Sequence, residues 1–351
     1  MRTTSFVLGC LGALTQVQAG DKKCRALAMS GGANHGAWEV GVMWGLLHYG
    51  NPEDFQWDVV TGVSAGAINT AGVAAFAPED TLEMTEYMSD AWAGITSNDE
   101  IWMNWPEGPA AALFNKGGLL DNSPAVGFIK QVMDGTGRTD FHRTFTVAAA
   151  NVETGEYETF NNDNITFDEM PQAAMSSGSI PTVFAPQHFK DMYLMDGGTI
   201  WDVNVQSAIE QCMEIVDDQA DIILDVMICD YQEAPQPPDK TNTIHNFWRQ
   251  REIHHFYHDM NDVHQQEAPY PNVNYRSYFQ DNDDCNVSNL LDFKNSTTWC
   301  LQQTGRDDAK KFLAANGLLD LSDEPKLKQE HQDTSILAKV QGFFKKMKFI
   351  F

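Results

Sequence analysis

Basic side chains are scarce in this sequence. Its 351 residues include 23 lysines and arginines against 49 aspartates and glutamates, a formal net charge of −26 at pH 7. This excess of negative charge repels the phosphates of nucleic acids and gives no general attraction to anionic membranes. The composition therefore excludes nucleic acid as an expected partner.

Long hydrophobic runs are missing after the first few residues. Residues 1–19 combine Arg2, an apolar run over 6–14 and a small-residue site that ends at Ala19, which predicts a signal peptide. The apolar run is shorter than the roughly 20 residues of a membrane-spanning helix. The sequence therefore predicts a soluble protein of the secretory route, secreted or kept in a lumen such as a vacuole or lysosome. Three N-glycosylation sequons fit that compartment, and they begin at Asn164, Asn286 and Asn295.

Cysteines are few. Of the six, Cys10 leaves with the signal peptide, and because five is an odd number at least one thiol stays free or pairs with another chain. Cys285 and Cys300 flank a polar, loop-like stretch and form the favoured disulfide in an oxidising compartment. Cys229 ends a strand-like run, where we expect a buried thiol. The pairing of the remaining cysteines stays open.

Short apolar runs alternate with helix-like patterns along much of the chain. Strands are predicted over residues 25–29, 55–61, 145–150, 157–160 and 222–228, and helices over 35–49, 65–75, 82–92 and the start of 170–186. Residues 98–122 are rich in Trp, Gly and Pro without a clear period, as in a loop or lid. Strands that alternate with helices indicate the α/β class, with a mostly parallel sheet covered on both faces.

The character of the sequence changes after residue 231. Prolines at 235, 237 and 238 mark a linker or rim, and a polar stretch follows as far as residue 284. We therefore expect one domain over residues 20–231 and a C-terminal extension over 232–351 that packs on or caps it. The tail over 338–351 carries four lysines, no acid and several aromatic residues, which is typical either of an interfacial membrane helix or of a core-packing or frayed chain end.

A glycine-rich loop follows the first predicted strand. It reads Ser30-Gly31-Gly32-Ala33-Asn34-His35-Gly36, and its backbone N–H groups can gather at one point as an anion site. A dinucleotide-binding fingerprint is the alternative, with Ala33 at the position of the middle glycine. That alternative expects an acidic residue at the end of the second strand, where this chain carries a serine motif, so we disfavour it.

The serine motif is Gly62-Val63-Ser64-Ala65-Gly66, which is typical of a nucleophile elbow between a strand and a helix. A serine hydroxyl attacks a carbonyl only when a base takes its proton and nearby donors stabilise the oxyanion. Asp196 lies between an apolar run and Gly197-Gly198. Burial there would raise its pKa towards that of a useful base, so Asp196 is the favoured partner of Ser64.

Two alternatives use the histidines that follow Asp196. A serine esterase with a histidine base would draw on one of them, such as His255, but an α/β-hydrolase elbow lies later in the sheet than the second strand. A metal site from His254 and His258 is the other alternative, because the two have helical spacing. Most of these histidines lie in the polar region, which is typical of a solvated helix face. We expect no metal and no cofactor.

The three motifs, in this order, resemble the pattern of the patatin-like phospholipase family. The likeness runs from about residue 24 to 229 and includes the segment 173–186 and Asp202-Val203-Asn204. The resemblance implies a three-layer α/β/α sandwich around a mostly parallel sheet, with the patatin-like catalytic domain over residues 20–231. It also implies a lipid acyl hydrolase of the phospholipase A type that acts on membrane or micellar lipid without a metal.

The resemblance also assigns roles by position. Ser64 would be the nucleophile that forms an acyl-enzyme, and Asp196 would be the base. The N–H groups of Gly31, Gly32 and Ala33 would line the oxyanion hole. The supporting positions are His35, Gly36, Gly62, Gly66, Gly197 and Gly198.

Two positions depart from the family pattern. Ala33 stands where a third glycine is usual, and alanine resists a positive φ. His35 stands where the family has Arg or Lys, and histidine is cationic only at acidic pH. We therefore expect activity to favour mildly acidic pH, and a catalytically silent patatin-like binding or storage protein is the alternative.

Overall fold

The computed structural model describes residues 22–231, 243–281, 285, 287 and 289–320. The predicted signal peptide over 1–19 and the tail over 338–351 lie outside the described residues. Across the described ranges, none of the helices combines the length and the apolar character that a bilayer span requires.

Strands and helices alternate as the sequence indicates. The strands are β1 (Cys24–Met29), β2 (Val59–Val63), β3 (Met103–Asn104), β4 (Leu120–Asp121), β5 (Thr144–Asn151), β6 (Tyr157–Asn161), β7 (Gln187–Phe189), β8 (Met192–Asp196), β9 (Ile222–Tyr231) and β10 (Asn274–Asp281). The helices are α1 (Gly36–Tyr49), α2 (Ala65–Val73), α3 (Thr81–Ala93), α4 (Pro109–Asn115), α5 (Ser123–Gly135), α6 (Met170–Ser177), α7 (Val205–Met213), α8 (Thr243–Glu267) and α9 (Asn295–Ala315).

Eight strands form the main sheet, in the order β10-β9-β1-β2-β5-β8-β7, with β6 paired to β5. The strands from β10 to β5 are mutually parallel. β6 and β8 run antiparallel to β5, and β7 antiparallel to β8. Parallel neighbours need crossover connections, and helices supply them. The predicted mostly parallel sheet is confirmed.

Side chains alternate between two cores on opposite faces of this sheet. In β1, Leu27 and Met29 belong to the larger core, whereas Ala26 and Ala28 belong to the smaller one. The larger core includes residues of α1, α2, α3, α5, α6 and α9, and the smaller one residues of α7 and Val263 of α8. Because each face of a buried sheet must be covered, this arrangement is a three-layer α/β/α sandwich. The predicted fold class is confirmed.

The register of β5 brings two distant parts of the chain together. Ala148 pairs with Val63 of β2, and the next residue, Ala149, pairs with Asp196 of β8. Both alanines also pair with β6, which lies on the opposite edge of β5. β8 therefore continues along the edge of β5 at the point where β2 ends. This places Asp196 beside the residue that follows Val63.

Several predicted boundaries were wrong. The strand predicted over 55–61 begins only at Val59, because Asn51 and Pro52 start a 3₁₀ turn over Pro52–Phe55 in which the Asn51 side chain accepts the Glu53 N–H. Residues 98–122, predicted as a loop or lid, contain α4 and the antiparallel pair β3–β4.

The described residues beyond 231 join the same sheet and core. β10 pairs with β9, and α9 packs against α1. The two helices approach backbone to backbone: a Cβ at Gly41 would lie 2.2 Å from the Gln302 carbonyl oxygen, and one at Gly305 equally close to that of Trp38. Glycine is therefore required at this crossing.

Two disulfides link the described residues. The predicted pair Cys285–Cys300 is confirmed, with Cα atoms 5.9 Å apart. Cys24–Cys212 ties β1 to α7, with Cα atoms 5.6 Å apart. Cys229 is the free cysteine of the described part of the chain and is partly rather than fully buried.

Candidate active site

Ser64 lies at a sharp turn between β2 and α2. Its φ of 51° and ψ of −114° are unusual for a residue with a side chain, and such strain is typical of functional turns. Both flanking glycines are required, because a Cβ at Gly62 would lie 2.1 Å from the Gly66 carbonyl oxygen and one at Gly66 2.5 Å from that of Met29. The Ser64 N–H donates to Ser177 Oγ at 2.8 Å, and the Ser177 hydroxyl donates to the Ala148 carbonyl. The turn is thus held from both sides.

Asp196 lies within hydrogen-bond distance of this serine. The Ser64 hydroxyl donates to Asp196 Oδ2 at 2.7 Å, and the two residues are only 5% and 7% exposed. Asp196 Oδ1 accepts the Gly198 N–H at 2.9 Å, and the Asp196 N–H donates to the Ser179 carbonyl at 3.0 Å. One carboxylate oxygen therefore faces the nucleophile while the other is held by the backbone.

Gly197 allows this approach. A Cβ at Gly197 would lie 2.5 Å from the Ala148 carbonyl oxygen and 2.9 Å from Val63 Cγ1. Only a glycine fits between the end of β2 and β5, so the turn after Asp196 can close against Ser64.

The glycine-rich loop offers two backbone donors rather than three. The Gly31 N–H donates to the Asp202 carboxylate at 3.1 Å and to the Asp202 carbonyl at 3.3 Å. Within the described ranges, no protein acceptor receives the N–H of Gly32 or of Ala33. These two groups are the candidate oxyanion donors. Ala33 does adopt the left-handed conformation that alanine resists, with φ 52°.

His35 is paired with an acid that the sequence analysis did not single out. Its Nδ1 lies 2.7 Å from Asp281 Oδ2, and both side chains are 1% exposed. This contact links the start of α1 to the edge strand β10. The next residue, Gly36, makes room for Trp92 and Ala65, because a Cβ there would lie within 3.1 Å of both.

A buried network joins the helices behind the two loops. Glu39 of α1 is fully buried, and burial raises its pKa to about 8. Asn69 of α2 donates both to Glu39 Oε2 and to the Gly36 carbonyl, each at 2.8 Å, and accepts the Trp92 indole N–H. Cys229 lies against Gly32, and burial, with Glu39 nearby, raises the pKa of its thiol well above the usual range.

The histidines whose side chains are described do not take the place of Asp196 at Ser64, whose hydroxyl donates to the aspartate. His258 Nδ1 lies 3.0 Å from Asp262 Oδ2, and His264 Nδ1 lies 3.3 Å from Glu267 Oε2. His331 and the side chains of His254 and His255 lie outside the described residues. Among the side chains that are described, no group of three or more His, Cys, Asp and Glu could hold a metal ion.

Sequence reasoning missed three residues of this site. Asp202 was noted only as part of the resemblance, and Asp262 and Asp281 were part of the polar region. No local sequence pattern marks these three residues, because each contacts a residue at least 60 positions away in the chain. Ser177 was visible within the segment 173–186 but had no assigned role.

The sequence matches a known protein family. A family model described as patatin-like phospholipase matches residues 27–209. The cGAMP-activated phospholipase of Escherichia coli (strain TW11681) is 26% identical over 206 residues, which cover 53% of this chain and 55% of that protein. The chain thus spans about half the length of this relative.

Two solved structures are also similar. VipD from Legionella pneumophila has a TM-score of 0.42 and 13% identity, covering 84% of this chain and 67% of that one. The ExoU–SpcU heterodimeric complex of the Pseudomonas aeruginosa type III secretion system has a TM-score of 0.35 and 15% identity, covering 84% and 51%. The family match spans more than half of the chain and includes the loop, the elbow and the aspartate turn. The chain belongs to the patatin-like phospholipase family.

Proposed function

We propose that this protein hydrolyses fatty-acyl esters of lipids as a phospholipase A-type esterase, with Ser64 as nucleophile and Asp196 as base. The hydrogen bond of 2.7 Å from the Ser64 hydroxyl to Asp196 Oδ2 carries the proposal. A nucleophile and a base within this distance are the signature of nucleophilic catalysis. Family membership supports lipid as the substrate class.

The first half-reaction forms an acyl-enzyme. Ser64 Oγ attacks the acyl carbonyl carbon while its proton passes to Asp196 Oδ2. The carbonyl oxygen becomes negative and faces the N–H groups of Gly32 and Ala33, which stabilise it without reorganisation. The intermediate then collapses, and the alcohol of the lipid leaves with the proton from Asp196.

The second half-reaction releases the fatty acid. A water molecule gives a proton to Asp196 and attacks the acyl carbonyl carbon of the Ser64 ester. Collapse returns the proton to Ser64 Oγ and frees the fatty acid. No metal or cofactor takes part in either half-reaction.

Exposed apolar side chains support a lipid substrate. Leu113 and Phe114 of α4 are 65% and 80% exposed, and Met103 and Leu119 of the same segment are also exposed. The segment is bonded to a residue that holds Asp196: the Asn122 side-chain amide donates to Ser179 Oγ at 3.1 Å, and the Ser179 carbonyl accepts the Asp196 N–H. Apolar groups beside an ester-cleaving site favour contact with the acyl region of a lipid surface.

Another exposed apolar residue lies next to the glycine-rich loop. The N–H of Asn34, in the glycine-rich loop, donates to the carbonyl of Leu290, which is half-exposed. Trp102 of the segment 98–122 donates its indole N–H to the neighbouring Leu291 carbonyl at 2.9 Å. The segment 98–122 and the glycine-rich loop thus contact adjacent residues, Leu291 and Leu290.

The test is hydrolysis of phosphatidylcholine vesicles, with release of fatty acid measured for the wild type and for Ser64→Ala and Asp196→Asn. Both variants should lose at least 1,000-fold in rate, as removal of one member of a catalytic pair does. Ser176→Ala is the matched control, because Ser176 is a buried serine whose hydroxyl donates within α6 to the Gln172 carbonyl. A wild type without hydrolysis would favour the silent binding or storage protein.

We also propose that the chain passes through an oxidising, secretory compartment. The disulfides Cys24–Cys212 and Cys285–Cys300 support this, since such bonds persist there. Expression in a eukaryotic secretory host with and without glycosidase treatment tests it. We expect glycosidase to lower the mass of the secreted protein, with the lost glycan traced to Asn164 or Asn295. A protein that stays in the cytosol of this host with all its cysteines reduced would contradict the proposal.

A further inference from the structure

Asp202 lies between the two catalytic loops. It is buried, and its carboxylate accepts the Gly31 N–H at 3.1 Å. A Cβ at Gly31 would lie 2.4 Å from Asp202 Oδ1, and one at Gly198 2.2 Å from the same oxygen. The carboxylate therefore fills the space that both glycines leave open, one in the oxyanion loop and one in the turn that holds Asp196.

Helix α8 contacts the backbone of Asp202. The Asp202 N–H donates to Asp262 Oδ2 at 2.9 Å, and Asp262 is buried. One turn further along α8, Gln266 donates to the Val203 carbonyl at 2.7 Å and accepts the Gln206 N–H at 2.8 Å. Two polar side chains of one helix face thus fix the backbone over residues 202–206.

These contacts bear on the oxyanion donors. Gly31 and Gly32 are adjacent glycines, which are free to turn their peptide planes unless something fixes them. The bond from the Gly31 N–H to Asp202 fixes the peptide plane that precedes Gly31, and the Asp202 carboxylate packs against the Gly31 Cα. Together these contacts limit how far the next two planes, which carry the Gly32 and Ala33 N–H groups, can turn. Donors stabilise an oxyanion strongly only when they are already aimed at it.

We propose that Asp202 is a positioning residue, which fixes the oxyanion loop so that the Gly32 and Ala33 N–H groups face the ester, and that α8 acts on catalysis through it. The proposal rests on the proposed function. Asp202 contacts the loop through its carboxylate, so we expect its effect in the turnover step rather than in substrate binding.

The test compares Asp202→Ala, Asp202→Asn and a matched control, Asp58→Ala. Asp58 also accepts a backbone N–H, that of Arg25 at 2.8 Å, but at the opposite end of β1. We expect kcat of Asp202→Ala to fall about 100-fold with KM within twofold, since small displacements of catalytic groups have effects of this size. Asp202→Asn keeps an acceptor oxygen and should recover most of the loss. Asp58→Ala should keep the wild-type kcat.

Two further measurements separate positioning from a general loss of stability. Amide hydrogen exchange over residues 30–35 should accelerate in Asp202→Ala and not in Asp58→Ala. Asp262→Ala should lower kcat in the wild type but add little in Asp202→Ala, because the two residues act in one chain of contacts.

An unchanged kcat in Asp202→Ala, or an equal fall in Asp58→Ala, would overturn the inference. Asp202→Asn as slow as Asp202→Ala, with unchanged loop exchange, would do the same. These results leave the proposed function intact, since the wild type and Ser176→Ala would still release fatty acid. A wild type that releases none overturns the proposed function, and this inference with it.

Discussion

Replacing Glu39 by glutamine should make the stability of the protein less sensitive to pH. Glu39 is fully buried beside Asn69, Cys229 and the backbone of Ser30, and burial raises its pKa from 4.5 to about 8. Its neutral form is therefore favoured in the folded state, whereas the unfolded chain ionises at the ordinary value. Because rising pH removes the proton from the unfolded chain first, Glu39 lowers the free energy of unfolding as pH increases towards 8.

The magnitude follows from the size of the shift. Each pKa unit corresponds to about 1.36 kcal/mol. Relative to low pH, a shift from 4.5 to about 8 lowers the free energy of unfolding by about 1 kcal/mol at pH 5 and about 4 kcal/mol at pH 8. Glutamine does not titrate, so the difference in free energy of unfolding between Glu39→Gln and the wild type should grow by about 3 kcal/mol over this range.

Urea unfolding at pH 5, 6.5 and 8 measures this difference. Other titrating groups are common to both proteins and cancel when the two are subtracted. Glu214→Gln is the control, because Glu214 is exposed just after α7. Its pH curve should run parallel to that of the wild type. A difference between Glu39→Gln and the wild type that stays constant from pH 5 to 8 would refute the reasoning.

Three further predictions concern strain, the lipid surface and a disulfide. Ala33→Gly removes an alanine from φ 52°, and should raise the free energy of unfolding by about 1 kcal/mol in urea titrations; a decrease would contradict the strain. Phe114→Ser should slow the hydrolysis of vesicles about tenfold and leave the hydrolysis of a soluble short-chain ester unchanged. Met213 is exposed on α7, and Met213→Ser should change neither rate. An equal loss of rate on both substrates in Phe114→Ser would count against membrane contact. Replacing Cys24 and Cys212 by serine opens a link across 188 residues and should lower the free energy of unfolding by about 5 kcal/mol; an unchanged urea midpoint would exclude this.

The central parts of the fold and site could be predicted because their signals are local. Ser64 lies within a pentapeptide whose two glycines are typical of a sharp turn between a strand and a helix. The signal for Asp196 is equally local, because two glycines follow it directly. Their meeting depends on a single register along β5, where Val63 and Asp196 pair with consecutive alanines. The sequence indicates both motifs, but only the sheet shows that they adjoin.

The contacts that α8 and β10 make with the candidate active site could not be predicted from the sequence, and the reason is physical. Among the described side chains of α8, Asp262 and Gln266 contact the body of the protein through hydrogen bonds, and Val263 lies in the smaller core. The sequence of α8 therefore shows only a weak amphipathic pattern, and it resembles that of a solvated linker. Asp281 could not be predicted for the same reason. It lies in a polar stretch of the sequence, and only the folded structure shows that it pairs with His35.

Capture of the covalent intermediate tests the central claim most directly. The wild type is mixed with a short-chain p-nitrophenyl ester, quenched in acid within milliseconds, digested and examined by peptide mass spectrometry. The account predicts an acyl group on Ser64, reached more slowly in Asp196→Asn and absent in Ser64→Ala. Rapid ester turnover with no acyl group on Ser64, or the same adduct on another residue, would contradict it.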